Sequence, residues 1–164
     1  ACFPFLKGFS SGNVGVEMSP TGAVFVGGTN RGWGSTGSRP FAIERVDWTG
    51  KVPFEIQQMR VTPTGFELTF TQPVDAVAAG KPESYDLSSY TYIYRSEYGS
   101  PEVDHTTPKI TGLSVSADGL KVQMEVEGRQ LGHVHELHAK GVRATDGNEL
   151  LHEKAYYTLN RIPE

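Results

Sequence analysis

Hydrophobic and polar residues alternate with a period of two along most of the chain, as in β-strands whose successive side chains point to opposite faces. In the run "GFELTF", for example, Phe66, Leu68 and Phe70 are apolar, and Glu67 and Thr69 between them are polar. Pro-Thr-Gly and Ala-Asp-Gly sequences separate such runs and are typical of tight turns. The pattern therefore predicts an all-β chain.

The sequence pattern changes at Gly50 to Pro53 and divides the chain into two parts. Before this point, "GVEMSPTGAVFVGG" predicts a hairpin and "FAIERVDW" a further strand. After it, about seven strands are predicted, in "FEIQQMRVTPTGFELTFTQPVD", "SYDLSSYTYIYRSEYG", "KITGLSVSADGLKVQMEV", "HVHELHAKGVRATDGNELL" and "KAYYTLN". Helical signal is confined to one turn near Val77 to Gly80. We therefore expect a β-segment over 1–52 and a β-sandwich over 53–164.

Composition excludes several classes of function. The 164 residues carry a net charge of −4 without a basic cluster, which argues against nucleic acid as a partner. No apolar run approaches the roughly 18 residues that a membrane-spanning helix needs. Cys2 is the only cysteine, so an intrachain disulfide and a thiolate zinc site are excluded. The first 15 residues lack the apolar core of a signal peptide, so any targeting segment is expected upstream of Ala1.

A glycine-rich stretch, "VFVGGTNRGWGSTGSRPFAIERVDWTGK", contains the first candidate binding residues. A nucleotide-binding loop would need a helix after the glycines, and a strand is predicted there instead. The stretch is therefore interpreted as a turn of a larger β-structure. Within it, Asn30, Arg31 and Trp33 are candidates for ligand contact. The alternative is that Trp33 covers apolar surface and Arg31 forms a local ion pair.

The segment from "GFSSGNVGVEMSPTGAVFVGGTNRGWG" to "RVDWTGKVPFEI" resembles the end of a glucose/sorbosone dehydrogenase-like β-propeller. It covers one blade at most, which cannot bury its faces without neighbours. The resemblance implies an upstream propeller domain in the same protein, a quinone-dependent sugar or alcohol dehydrogenase. Pyrroloquinoline quinone or calcium would bind in that parent, and a cytochrome c domain could accept its electrons. No cofactor is expected in this chain, which alone should not be an enzyme.

The remainder resembles the bacterial Ig-like domains that follow catalytic or surface modules. "GFELTFTQPVD", "ESYDL" and "GVRATDGNELL" carry this resemblance, and the last contains an Asp146-Gly147-Asn148 turn. Such modules mostly space, dock or adhere. Together the two resemblances imply a partial propeller-blade segment followed by an Ig-like β-sandwich. The expected function is a non-catalytic accessory or docking region of an exported bacterial protein, in the periplasm or outside the cell.

Tyrosines are concentrated in one segment, in which period-two spacing places Tyr90, Tyr92 and Tyr94 on one strand face. Such aromatic stripes form carbohydrate-binding platforms or protein interfaces. They also form one face of a sandwich core with the hydroxyl groups at its rim. A self-contained carbohydrate- or surface-binding module is therefore the alternative function.

Histidines provide a third hypothesis, a small metal-binding domain. His133 and His135 lie two residues apart in "GHVHELH", so one strand face would carry both imidazoles. With a third ligand from His105 or His152, the pair could hold zinc or copper. Alternatively, the resemblance to Ig-like domains implies that Leu137, and with it His135, faces inward, so that His135 is a core residue satisfied by one hydrogen bond.

Overall fold

The computed structural model describes residues 1–30, 34 and 37–164. It divides the chain into two compact units. The smaller unit is Phe5–Val52, and the larger unit consists of Ala1–Pro4 and Pro53–Glu164. The four N-terminal residues thus group with the larger unit, whereas the sequence placed them in the N-terminal segment.

The smaller unit contains a three-stranded antiparallel sheet in the order β1-β2-β3. Its strands are β1 (Asn13–Met18), β2 (Val24–Thr29) and β3 (Phe41–Val46). Ser19 closes the turn between β1 and β2, because its hydroxyl accepts a hydrogen bond from the amide of Ala23 (3.0 Å). In the same turn Gly22 has a φ of 87°, which glycine adopts without strain. The predicted hairpin and the strand after it are confirmed.

The larger unit contains two four-stranded antiparallel sheets. The β5 sheet has the order β4-β5-β9-β8, and the β6 sheet has the order β11-β10-β6-β7. Their strands are β4 (Ile56–Val61), β5 (Gly65–Phe70), β6 (Asp86–Tyr92), β7 (Glu102–Thr106), β8 (Lys109–Val115), β9 (Lys121–Glu127), β10 (Val134–His138) and β11 (Lys154–Thr158). The described chain is therefore all-β with three antiparallel sheets. The Ig-like and propeller-blade assignments stay predictions.

One hydrophobic core receives side chains from both four-stranded sheets. In β5, Phe66, Leu68 and Phe70 are buried, which confirms the face predicted from their alternation. From the β6 sheet, Leu87 and Leu137 are direct cross-strand partners and are buried in the same core. Burying one such side chain stabilises the folded protein by roughly 1.5–3 kcal/mol relative to leaving it exposed.

Short elements connect these strands. The predicted helical turn is α1 (Ala76–Ala79), and the Asp75 side chain caps it by accepting from the amide of Ala78 (2.7 Å). No helix in the described residues has the length and apolar character needed to cross a membrane. The predicted turn at Asp146 is also present, since its carboxylate accepts from the amide of Asn148 (3.0 Å).

The tyrosine-rich segment differs from the prediction in two respects. β6 ends at Tyr92, so Tyr94 lies beyond the strand that was expected to include it. The following segment contains the additional strand β7, which pairs with β6. The larger unit therefore has eight strands among its described residues, one more than expected. Sequence pattern missed β7 because its residues "EVDHT" are mostly polar and exposed.

Candidate functional site

The candidate site is the outer face of the β6 sheet, which points away from the shared core. Leu87 lies in that core, so the alternation of side chains along β6 directs Ser88, Tyr90 and Tyr92 to the opposite face. Glu136 of β10 is the direct partner of Ser88 and shares this outer face. The tyrosines are therefore not part of the shared core, which was one alternative for them.

Three rings form an aromatic cluster at one end of this face. Tyr90 and Tyr92 meet edge to face, with centroids 5.6 Å apart and an interplanar angle of 90°. The ring of His105 in β7 lies 5.5 Å from Tyr90. Tyr90 is only 6% exposed, whereas Tyr92 is 47% exposed. Tyr92 therefore offers ring surface to a ligand, and Tyr90 supports it.

Carboxylates surround the aromatic cluster. Glu102 is the direct cross-strand partner of Tyr92 and lies 3.9 Å from the Nε2 atom of His105. Burial raises the pKa of the Tyr90 phenol, and a hydrogen bond with Tyr92 and the charges of Glu102 and Glu136 raise it further. Tyr90 is consequently a neutral phenol at physiological pH. The cluster combines an exposed ring with hydrogen-bond acceptors.

Beyond β6, two further tyrosines are almost completely exposed. Tyr94 is 98% exposed, and Tyr98 is fully exposed. Both lie in the segment between β6 and β7, where the Arg95 side chain donates a hydrogen bond to the carbonyl of Gly99 (3.2 Å). Tyr94, predicted to share a strand face with Tyr90 and Tyr92, lies instead on this connection.

Ion pairs cover the other end of the outer face. Lys154 lies 2.8 Å from Glu136, and Lys140 lies 2.7 Å from Asp86. The Nε2 atom of His138 lies 2.8 Å from Glu153. Sequence reasoning missed these pairs, because each joins residues from different strands or connections whose pairing the pattern does not give. The aromatic and charged ends together form a mixed surface rather than a hydrophobic one.

Of the two histidines proposed as metal ligands, His135 lies on the buried face of β10, and His133 immediately precedes that strand. His135 is completely buried with Leu137, as the core alternative predicted. Its two ring nitrogens have no hydrogen-bond partner within standard geometry. The Nδ1 atom of His133 lies 3.2 Å from the Leu131 carbonyl, and its Nε2 atom is buried without a partner. Burial lowers the pKa of His135, so that this imidazole is neutral.

The suggested third ligands lie in other environments. The Nδ1 atom of His152 is 2.6 Å from Glu55, and His105 belongs to the aromatic cluster. In the described part of the chain, no group of three or more histidine, cysteine, aspartate or glutamate side chains is arranged to hold a metal ion. The metal hypothesis for His133 and His135 stays a prediction.

The remaining candidates belong to the glycine-rich stretch of the smaller unit. Asn30 follows β2, and its amide donates a hydrogen bond to the Pro40 carbonyl (3.0 Å). Arg31 and Trp33 lie outside the described residues. The ligand-contact prediction for these three residues therefore stays a prediction.

Comparisons with known proteins give structural similarity alone. No family model and no curated protein matches the chain. A structure of surface layer protein SbsC, domains 1–6, has 22% sequence identity and a TM-score of 0.49. A structure of the N-terminal part of the bacterial S-layer protein SbsC has 21% identity and a TM-score of 0.48. Both alignments cover 66% of this chain but only 14% and 24% of the SbsC chains. The similarity is therefore distant and concerns only part of an S-layer protein.

Proposed function

We propose that this chain is a non-catalytic accessory and docking region of an exported, sugar dehydrogenase-like multidomain protein. One observation carries the proposal: the three-stranded sheet of the smaller unit exposes large apolar side chains on both of its faces. Val16 and Met18 are each 67% exposed on one face. Phe41 and Ile43 are 75% and 83% exposed on the other.

The strand register assigns these residues to opposite faces. Val16 is the direct partner of Val26, and Ile43 is the direct partner of Gly27, the next residue along β2. Direct partners share a face and consecutive residues do not, so Val16 and Ile43 project in opposite directions. A soluble antiparallel sheet commonly has one polar face. Apolar residues on both faces favour a sheet that packs between two neighbours.

This segment resembles a propeller blade, and the two neighbours would be the adjacent blades, because blades pack face to face around a common axis. In this proposal the propeller performs the chemistry, with quinone or calcium in its own site. The larger unit is then an Ig-like sandwich that docks or spaces modules, including a cytochrome c domain. Its place in the periplasm or outside the cell follows from the same resemblance.

Cysteine accessibility tests the proposal. In a Cys2→Ser background, Val16→Cys and Ile43→Cys each place a thiol on one face of the sheet, and Arg60→Cys provides an exposed control in β4. All three thiols should react rapidly with a maleimide in the 164-residue chain. In the protein purified from its natural source, the first two should react at least roughly ten-fold more slowly, with the control unchanged.

Two results would contradict the docking proposal. One is a natural polypeptide, measured by intact mass, that contains no further β-domain. The other is unchanged reactivity of both face positions in a longer natural protein. Protection of only one face would reduce the proposal to a sheet that packs against a single neighbour.

The aromatic cluster supports carbohydrate binding as a second candidate function. Tyr92 exposes ring surface beside the Glu102 carboxylate, and sugars bind through ring stacking and hydrogen bonds from their hydroxyl groups. Isothermal titration with soluble glycan oligosaccharides tests this function. Tyr92→Ala should abolish binding, whereas Trp48→Ala, which removes an exposed ring of the smaller unit, should not. Equal loss in both variants, or no heat with any oligosaccharide, would reject the sugar-binding function.

A further inference from the structure

Strand β6 is paired with β7 along only its second half. The direct partners are Ser89 with Thr106, Thr91 with Val103 and Tyr92 with Glu102. After Thr106 the chain passes through Thr107 and Pro108 into β8, which belongs to the other sheet. In the described residues, Asp86–Ser88 therefore has a strand partner on the β10 side only.

The alternation of the backbone identifies the groups left at this edge. The amide of Ile93, just beyond β6, donates to the Pro101 carbonyl on the β7 side (3.1 Å). In an antiparallel strand, the N–H and C=O groups of every second residue point to the same side. Those of Thr91, Ser89 and Leu87 therefore point toward β7. Because β7 does not extend to Leu87, the N–H and C=O groups of Leu87 face an open edge.

This edge forms one wall of a cleft of about 490 Å³. Tyr85, Leu87 and Ile110 line its inner side, toward the core. Pro108 bounds the cleft and has no N–H group to offer the edge. The outer side is charged, and it is lined by Asp86, Glu136, His138 and Lys154. We call this space the β6 cleft, and its size suits a short extended peptide rather than a whole domain.

The opposite edge of the same sheet is already covered in this way. Cys2 forms a one-residue antiparallel bridge with Tyr156 of β11. The Cys2 amide donates to the Tyr156 carbonyl (2.7 Å), and the Tyr156 amide donates to the Cys2 carbonyl (2.9 Å). One extended residue placed opposite Leu87 could form the same two hydrogen bonds, because the Leu87 N–H group would donate to its carbonyl and the Leu87 C=O group would accept from its amide.

We propose that the β6 cleft binds an extended peptide segment of a partner protein by strand addition, with one apolar residue opposite Leu87 between two basic residues. A residue opposite Leu87 shares its inward face, so its side chain enters the slot beside Tyr85 and Ile110. The residues on either side point outward, toward Glu136 and His138.

Charge selects the flanking residues. The outer side holds the carboxylates of Asp86, Glu136 and Glu153, the last of which binds His138. Two ammonium groups, from Lys140 and Lys154, offset part of this negative charge. Three carboxylates against two ammonium groups favour lysine or arginine in the bound segment.

The probe is the acetylated and amidated pentapeptide Thr-Lys-Val-Lys-Thr, titrated into the isotope-labelled chain and followed by NMR. We expect dissociation constants in the millimolar range, because so short a peptide loses much conformational entropy on binding. The Leu87 amide resonance should move downfield, and its hydrogen exchange should slow at least roughly ten-fold. The same peptide with N-methylvaline lacks the central N–H donor and should bind at least about five-fold more weakly.

Matched variants locate the binding surface. Glu136→Lys reverses a charge of the cleft and should weaken binding roughly five-fold. Glu67→Lys is the control, because Glu67 in the β5 sheet is similarly exposed (20% against 23%) and is also paired with a lysine. The proposal is overturned if valine, leucine and phenylalanine versions all leave the Leu87 amide unchanged. It is also overturned if N-methylation has no effect, or if both charge reversals weaken binding equally.

Discussion

His135 and Ser89 are polar residues that are buried among apolar side chains. They are direct cross-strand partners in β10 and β6, and both are completely buried. The Ser89 hydroxyl and both His135 ring nitrogens have no hydrogen-bond partner within standard geometry. Phe66 packs on the imidazole with centroids 5.5 Å apart. An unpaired buried polar group typically costs about 1–3 kcal/mol, so this pair lowers the stability of the core.

His135→Phe should therefore stabilise the protein by about 1–2 kcal/mol at neutral pH, since phenylalanine fills a similar volume without polar atoms. The variant should also change the pH dependence. Burial lowers the pKa of His135, the backbone groups of His133 and Tyr157 oppose this effect in part, and the nearby charges of His133 and Arg129 add to the lowering. Below the ordinary histidine pKa of about 6.5, the unfolded chain binds a proton that the folded chain does not.

The stability of the natural sequence should thus fall as the pH decreases from about 6.5 toward the lowered pKa of His135. The difference in unfolding free energy between the His135→Phe variant and the natural sequence should widen over this range. Urea unfolding at several pH values measures it. Parallel stability curves for the two proteins would contradict this account, because they would show that His135 binds a proton equally well in the folded and unfolded chains.

Gly65 occupies a position where a side chain has no room. A Cβ atom built on it would overlap the Met124 carbonyl oxygen, a backbone atom of β9. Gly65→Ala should force β5 and β9 apart and destabilise the protein by about 3 kcal/mol or more. Gly112→Ala is the matched control, because its Cβ would meet only the movable end of the Glu125 side chain. Thermal unfolding compares them, and equal losses would contradict this account.

At the scale of elements, Arg129 holds the turn between β4 and β5. Its Nη1 atom donates to the carbonyls of Thr62 and Gly65, both at 2.9 Å, and its Nη2 atom donates to that of Pro63 at 2.6 Å. The guanidinium also lies 5.9 Å from the centre of the Phe66 ring. One side chain from the connection after β9 thus replaces the hydrogen bonds that a tight turn would otherwise make with water.

Arg129→Ala should destabilise the larger unit by about 2 kcal/mol, because three carbonyl groups lose a charged donor. Arg129→Lys should recover only part of this loss, since an ammonium group cannot reproduce the planar fork. Arg60→Ala in the neighbouring strand β4 is the exposed control. Denaturant unfolding measures all three. A lysine variant as stable as the natural sequence would mean that charge alone holds the turn.

Local pattern predicted elements better than it predicted their pairing. The alternation around Phe66 gave the buried face of β5, because neighbouring residues alone determine that alternation. Strand β7 was missed, because its exposed polar residues form a strand only by pairing with β6. The aromatic cluster could not be located for the same reason: His105 reaches Tyr90 through that pairing. Likewise, the open edge at Leu87 depends on where β7 ends.

At the scale of the whole molecule, the two units differ in how much apolar surface they bury. In the described part of the smaller unit, Ala23 and Val26 are the only buried apolar residues. The core of the larger unit includes large side chains such as Phe66, Phe70 and Leu137. Local stability follows buried apolar contacts, so the two units should open with different free energies.

Hydrogen–deuterium exchange measured by mass spectrometry should show this difference. In the 164-residue chain, amides of β1, β2 and β3 should exchange at least roughly a hundred-fold faster than those of β5 and β9. Peptides from α1 provide an internal reference for a short element of the larger unit. Equal protection in both units would show that neighbours are not needed to stabilise the three-stranded sheet, which would also weaken the docking proposal.

The bridge between Cys2 and Tyr156 makes the smaller unit an insertion, because the chain contributes to the larger unit, leaves it at Phe5 and returns at Pro53. A single protease cut within the insertion would leave the N-terminal segment attached by hydrogen bonds and side-chain packing alone. Before any cut, that segment is tethered through a connection of roughly 50 residues. Each halving of a flexible connection lowers its closure cost by about 0.6 kcal/mol, so shortening the insertion would bind the segment more firmly.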